Sequence, residues 1–464
     1  MTIITGILAF ILILGAAVVI HEFGHFIVAK LFKIRVETFS VGFGPRLFGV
    51  KWGHTDYRVS AVPLGGYVKL GGDESNAPLE GSGATDIPPE EMFNLRPRWQ
   101  RILVALAGPI MNVLTALAIP FAGALMYGVP ATPAPVVSYA PAGGAAQKAG
   151  LQPGDRIVSF NGTEQPDYDT IRGDALLSPG QPLPLVVERN GQRIPLTITP
   201  TARTEEGETA GFLDMVPDNG GYPVIIRDVT KDAPAGEAGI QPGDRVLAIN
   251  GQTVRSAEHI SSFIREHRSQ PLTLTLERNG QKIDITASAR RLPDGTERLG
   301  ILPTDNFPLQ QPGIGVAAAY AVRSNLQILR LTGKALGQFF TGQRSARNTL
   351  SGPVGIYKAA SSSVERFGWG GFFTTLAFLS LNLGIFNLLP IPVLDGGAIF
   401  LLLIESVLAI VGLKLSMGIR ERIQQVGFVM VILLMVFVIT NDMIKQVSIW
   451  RGGDSPPANS TPAK

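Results

Sequence analysis

Cysteine is absent from all 464 residues. Its absence excludes disulfides, thiolate metal sites and a cysteine nucleophile. Histidine is scarce, with only five: His21, His25, His54, His259 and His267. Any metal site must therefore combine these imidazoles with Asp or Glu. Charge is thin as well. Only 17% of residues are charged, against about 25% in an ordinary soluble domain. The net charge of +3 is small, and no dense Lys/Arg stripe with interleaved aromatics occurs, so a nucleic-acid partner is set aside. What is abundant is apolar: 45% of residues are hydrophobic. These proportions describe a membrane protein with substantial polar parts, and the length allows roughly three domains.

The apolar residues fall into four long runs. The first, over 1–30, carries no charge from Ile3 to Ile20 and no basic residue before Lys30, so it lacks the basic start of a secretory signal. Lys30, Lys33 and Arg35 follow it, which places the N-terminus outside and the loop over 31–101 in the cytoplasm. The second, over 102–127, follows Arg96, Arg98 and Arg101. The third, over 372–404, holds a single charge, Asp395. It is too long for one straight helix across a bilayer core of about 30 Å. Pro390, Pro392, Gly396 and Gly397 should break it. The fourth, over 426–442, follows a basic loop at 405–425, and four spans put both termini outside. A Pro/Ser-rich tail ends the chain, with disorder expected over 443–464.

Between the second and third runs lies a duplication. Ala149-Gly150-Leu151-Gln152-Pro153-Gly154-Asp155-Arg156 recurs 89 residues later as Ala238-Gly239-Ile240-Gln241-Pro242-Gly243-Asp244-Arg245. Glu188-Arg189-Asn190-Gly191 recurs as Glu277-Arg278-Asn279-Gly280 at the same offset. A constant offset of this size means two copies of a domain, over 128–220 and 221–310. Their short alternating runs and Asn-Gly turns predict small β-rich barrels. The repeated motif resembles PDZ domains of bacterial envelope proteases, which bind extended peptides; a pair of spacers is the plainer reading. The segment over 311–371 reads as amphipathic or packed linker helices.

His21-Glu22-Phe23-Gly24-His25 carries the chemistry. Histidines four apart share one helix face and can reach one ion, while Glu22 sits beside them, free to act as a base. Zinc suits such ligands, and a catalytic site keeps one position for water. Two imidazoles leave a ligand missing. Asp395 is the only other ionisable residue buried in an apolar run, and span direction puts it at the same membrane side as His21. An aspartate capping a restarted helix is its alternative role. Tyr57 to Leu70 alternates and turns at Pro63 to Gly66, which predicts a β-hairpin over about 57–70 with Gly65 and Gly66 at its tip. An exposed edge there could pair with an unwound substrate, a helical peptide bond being shielded by its own turn. His54 reads as a loop residue.

Taken together, His-Glu-x-x-His in the first run, Asn387-x-x-Pro390-x-Pro392-x-x-Asp395-Gly396 in the third and PDZ-like copies between them resemble the site-2 protease family over nearly the whole chain. The resemblance implies a polytopic α-helical membrane protein with four transmembrane helices, a re-entrant β-hairpin on the cytoplasmic side and two inserted PDZ domains. It implies one zinc ion on His21, His25 and Asp395, with Glu22 as catalytic base. Asn387, with Asn382 beside it, maps to the substrate-handling region. It further implies a monomer in the bacterial inner membrane, PDZ copies in the periplasm, and a stress response. The expected substrates are single-span membrane proteins such as an anti-sigma factor, and signal-peptide remnants. A metal transporter and a non-catalytic PDZ scaffold remain as alternatives.

Overall fold

The computed structural model describes residues 3–73, 87–130, 133–205, 208–267, 270–291, 297–307, 309–341, 352–410, 412–413 and 417–450. The chain divides into two compact units. One holds residues 1–126, 312–330 and 341–464; the other holds 127–311 and 331–340.

The first unit is helical. Helix α1 (Ile3–Leu31) and α2 (Arg98–Tyr127) are both long and apolar enough to span a bilayer. So are α6 (Pro353–Asn387) and the greater part of α8 (Met417–Trp450). Between α6 and α8 lies α7 (Asp395–Ile410). These four candidate spans make the protein a multi-pass membrane protein. Ile13 and Ala17 of α1 pack on Ala360 and Leu376 of α6. Small side chains allow such close approach where the hydrophobic effect gives no drive between helices.

The third span begins earlier than its apolar run. Helix α6 starts at Pro353, well before residue 372, and bends at Gly368, whose φ is 57°. Residues 353–371, part of the stretch expected to hold amphipathic or packed linker helices, are thus continuous with the third span. The break after Asn387 is present: Leu388 to Leu394 is non-helical, and α7 restarts at Asp395. Helix α8 also runs past the apolar stretch, so 443–450, expected to be disordered, is helical. Backbone hydrogen bonding carries a helix beyond the residues that favour lipid. The rest of the tail, 451–464, lies outside the described residues.

The loop between α1 and α2 holds strands β1 (Val36–Trp52) and β2 (Thr55–Leu70). The tight turn is at Gly53-His54, between the paired Trp52 and Thr55, and not at Pro63 to Gly66. The chain does bend at Gly65, with φ 143°, where the Phe43 ring occupies the space a Cβ would need. The two arms of residues 57–70 are not paired with each other. Thr38 to Val41 lies between them, facing Lys69 to Gly66 on one side and Asp56 to Val59 on the other. The alternation was visible in the sequence, but the partner strand, lying before it, was not.

The second unit contains the duplication. In copy one, β3 (Ala134–Tyr139), β4 (Arg156–Phe160), α3 (Tyr168–Leu176), β5 (Leu183–Arg189), β6 (Gln192–Ile198) and β7 (Val216–Asp218) give the sheet order β7-β3-β4-β5-β6. In copy two, β8 (Val224–Val229), β9 (Arg245–Ile249), α4 (Ala257–Glu266), β10 (Pro271–Arg278), β11 (Gln281–Ser288) and β12 (Ile301–Asp305) give β12-β8-β9-β10-β11, the same topology. Each sheet covers its own core, around Phe160 and Ile171 in one and Ile249 and Phe263 in the other.

The repeated motifs have a physical reason. Arg189 donates two hydrogen bonds of 2.7 Å to Asp155 and one of 2.8 Å to the Gly150 carbonyl. Arg278 makes the same three bonds to Asp244 and Gly239. The Pro-Gly-Asp turn of each copy is thus clamped by the arginine of its Glu-Arg-Asn-Gly turn. The helices are capped alike: Asp167 accepts from the Thr170 amide and Ser256 from the His259 amide. The helix α5 (Ile314–Phe340) follows the second copy.

Candidate metal centre

The centre is built within the helical unit from α1, α2, α6 and α7. Helix geometry puts His21 and His25 one turn apart, with ring nitrogens Nε2 separated by 3.2 Å. Asp395, the first residue of α7, is brought to them by the unwound segment before it. Its Oδ2 lies 3.0 Å from His21 Nε2 and 3.5 Å from His25 Nε2. His21 is 5% exposed. The approach needs glycine on the facing helix: a Cβ at Gly108 would fall 2.4 Å from His25 Nε2.

These three residues could hold a metal, and their ligand atoms all lie within 4.8 Å of one another. Bonds of about 2.0 Å to a tetrahedral ion require ligand atoms about 3.3 Å apart. The observed separations of 3.2, 3.0 and 3.5 Å bracket that value. The supporting contacts also fit. His25 Nδ1 is 2.7 Å from the Val104 carbonyl, an acceptor that keeps the proton on Nδ1 and leaves Nε2 as a lone pair.

Glu22 lies on the same helix, and its Oε2 accepts a 3.1 Å hydrogen bond from the Val68 amide of β2. That bond ties the acid to the strand and fixes its direction. Asn387, the last residue of α6, sets its Nδ2 3.2 Å from His21 Nε2. Asn382 is not brought to the cluster; its Nδ2 donates to the Phe378 carbonyl one turn back. Gly65 and Gly66 lie on β2 beside α1, where added Cβ atoms would come 3.5 Å from Val18 and 3.6 Å from Val19.

Two contributors were missed in the sequence. Asn112, fully buried on α2, faces His21 Nδ1 at 3.2 Å. Ser380, fully buried on α6, donates to Asn112 at 3.1 Å. A search for ionisable groups passes over both. The usable signal was a lone amide in an uncharged span, since polar groups inside a membrane are costly unless partnered.

An imidazole pair and a carboxylate, set within membrane-spanning helices with an acid beside them, define a membrane-embedded metalloprotease. The chain belongs to peptidase family M50, whose model matches residues 9–434. Relatives agree over nearly their full length. The regulator of sigma-E protease RseP of Salmonella typhimurium is 31% identical over 95% of this chain and 99% of that protein. The protein of the same name from Escherichia coli is 30% identical over 94% and 97%. Protease RseP of Yersinia pestis is 32% identical over 95% and 99%. Among solved structures, a PDZ domain of an SdrC-like protein from Listeria monocytogenes is similar at 19% identity, covering 18% of this chain and 88% of that chain, with a TM-score of 0.17.

Proposed function

We propose that this chain is an intramembrane zinc endopeptidase with one ion held by His21, His25 and Asp395, and Glu22 as its catalytic base. The observation that carries this reading is the close grouping of the three ligand atoms, at tetrahedral spacing, from two helices remote in sequence. When bound, zinc polarises the scissile carbonyl and acidifies a water. The chain's own groups do the rest. Glu22 Oε2, steadied by the Val68 amide, takes the proton and later returns it to the leaving amine. The Val104 carbonyl holds the His25 ring in position, and the buried Asn112 side chain packs against the His21 ring. Asn387 lies next to the reacting atoms and is suited to hold a substrate carbonyl. The paired strands before α2 offer an edge to an extended substrate.

The relatives' names support a role in a sigma-E type stress response. Substrates are then single-span membrane proteins of the anti-sigma-factor kind, and signal-peptide remnants. Positive residues flanking the spans support an inner-membrane orientation with the PDZ copies and both termini in the periplasm and the metal centre towards the cytoplasm. The PDZ copies serve peptide binding or access control, and a single chain carries the whole site. The transporter and scaffold readings are not favoured. The test is cleavage of a transmembrane peptide by detergent-purified protein beside its Glu22→Gln variant. The variant should retain zinc and lose cleavage; normal processing by the variant would refute the mechanism.

A further inference from the structure

Three guanidiniums converge at the end of the helical unit where α2 begins. Arg98 and Arg101 lie in its first turns, and Arg420 comes from α8. Glu405 of α7 sits between two of them, 3.9 Å from Arg98 Nε and 3.8 Å from Arg420 Nη1. Both contacts exceed hydrogen-bond range, so this carboxylate serves two cations loosely. Arg101 fares worse. It is only 7% exposed, its Nε has no hydrogen-bond partner, and it forms no ion pair among the described residues. Its guanidinium lies 5.5 Å from the Phe93 ring centroid. The charges that act on it are Arg98 and Arg420 on one side and Glu405 and Asp73 on the other. The group of five retains net positive charge.

A cation turned inward without a hydrogen-bonded counter-charge is costly. The positive-inside bias accounts for basic residues near a span end. It does not account for a guanidinium buried beside two others and left, among the described residues, without an ion-pair partner. An anion would complete the set, since arginine matches the geometry of a phosphate. The chain neighbours of these arginines bear on what the anion is attached to. Trp99 and Ile419, the chain neighbours of Arg98 and Arg420, are 56% and 49% exposed, and Leu95 is 61% exposed, so apolar side chains adjoin the basic ones in sequence, with a tryptophan of the kind enriched where headgroups meet acyl chains. Basic pockets between membrane helices bind acidic lipid headgroups in this way.

We propose that Arg98, Arg101 and Arg420 bind the phosphate of an anionic phospholipid, joining α2 and α8. The site is separate from the metal centre, and this inference stands whether or not the chain is a protease. Its consequence is nonetheless felt there. Helix α8 touches the unwound segment: a Cβ at Gly427 would meet Pro392 at 2.2 Å. A lipid that holds α8 in place also holds the segment that delivers Asp395.

The test uses full-length protein in detergent, with native mass spectrometry and thermal unfolding read together. Phosphatidylglycerol should give a retained adduct and raise the unfolding midpoint, while phosphatidylcholine should do neither. Arg101→Gln and Arg420→Gln should each weaken phosphatidylglycerol binding about fivefold, the scale of one basic residue at an acidic lipid surface. Arg366→Gln, outside the cluster, should leave it unchanged. If Arg101→Gln does not fold, Arg420→Gln decides. Equal binding of both lipids, or unaltered binding by the folded variants, overturns the proposal. Stabilisation by inorganic phosphate alone, to the same extent, marks a free-anion site and overturns the lipid assignment.

Discussion

Asp155 and Asp395 are both carboxylates held against nitrogen atoms, yet their settings differ in kind. Asp155 is clamped by two N–H groups of Arg189 at 2.7 Å and by the Gln152 amide at 2.8 Å. Its partner is always charged, and the arrangement is repeated bond for bond at Asp244. Asp395 faces two imidazoles, which carry no fixed charge, and its neighbours come from helices far apart in the chain. Asp155 is complete without a ligand. Asp395 and its histidines set their ligand atoms within 4.8 Å of one another, a grouping that the proposed zinc would satisfy. The difference separates a structural clamp from a grouping of side chains suited to hold a metal.

Four predictions press on that difference. The largest effect is expected at Glu22: Glu22→Gln should reduce cleavage of a transmembrane peptide by about 10²–10⁴-fold, the usual contribution of a general base, with zinc content unchanged. Next comes the clamp. Asp244→Ala should destabilise the second copy of the duplicated domain by on the order of 2 kcal/mol, the cost of losing charge-assisted hydrogen bonds. Thermal unfolding would register this, while bound zinc should stay at the wild-type level. A loss of zinc would show that the two regions are not independent. Third, Asn112→Ala should weaken zinc affinity about 10–100-fold, as removing a residue that supports a ligand commonly does. Competition with a chelator would measure it.

The smallest effect is with pH. His259 of copy two is 4% exposed and stacks on Tyr139 of copy one at 4.7 Å. Burial pushes its pKa down, with Glu266 opposing and Arg255 reinforcing. A folded pKa below the unfolded one means stability is complete above about pH 6.5 and declines as pH falls below it. Burial raises the Asp155 and Asp244 carboxyls, but the Arg189 and Arg278 bonds and a backbone amide outweigh it and hold both below the ordinary value. Their contribution is present above about pH 4 and lost only at lower pH. Unfolding midpoints should therefore fall slightly between pH 7.5 and 5.5 and again below 4. His259→Gln should abolish the first step alone.

The sequence disclosed the parts whose chemistry is local. His21 and His25 share a face by spacing alone, the broken third span was written in Pro390, Pro392 and the glycines, and the duplication showed in its fixed offset. It concealed what depends on remote partners. Strand pairing across Thr38 to Val41 required knowing which segment inserts between the two arms. Asn112 and Ser380 look like ordinary polar residues until α2 and α6 are packed together. Asn387 already stood in the Asn-x-x-Pro-x-Pro motif and ahead of Asn382, and its approach to His21 appears only once α6 and α1 are packed together.

The central claim is that an aspartate from the broken helix shares one ion with the histidines of α1. Zinc K-edge absorption on purified wild type and on Asp395→Ala tests it most directly. The account predicts two imidazoles and a carboxylate around a single zinc in the wild type, and loss of that zinc in the variant. An unchanged spectrum and full zinc content in Asp395→Ala would contradict it.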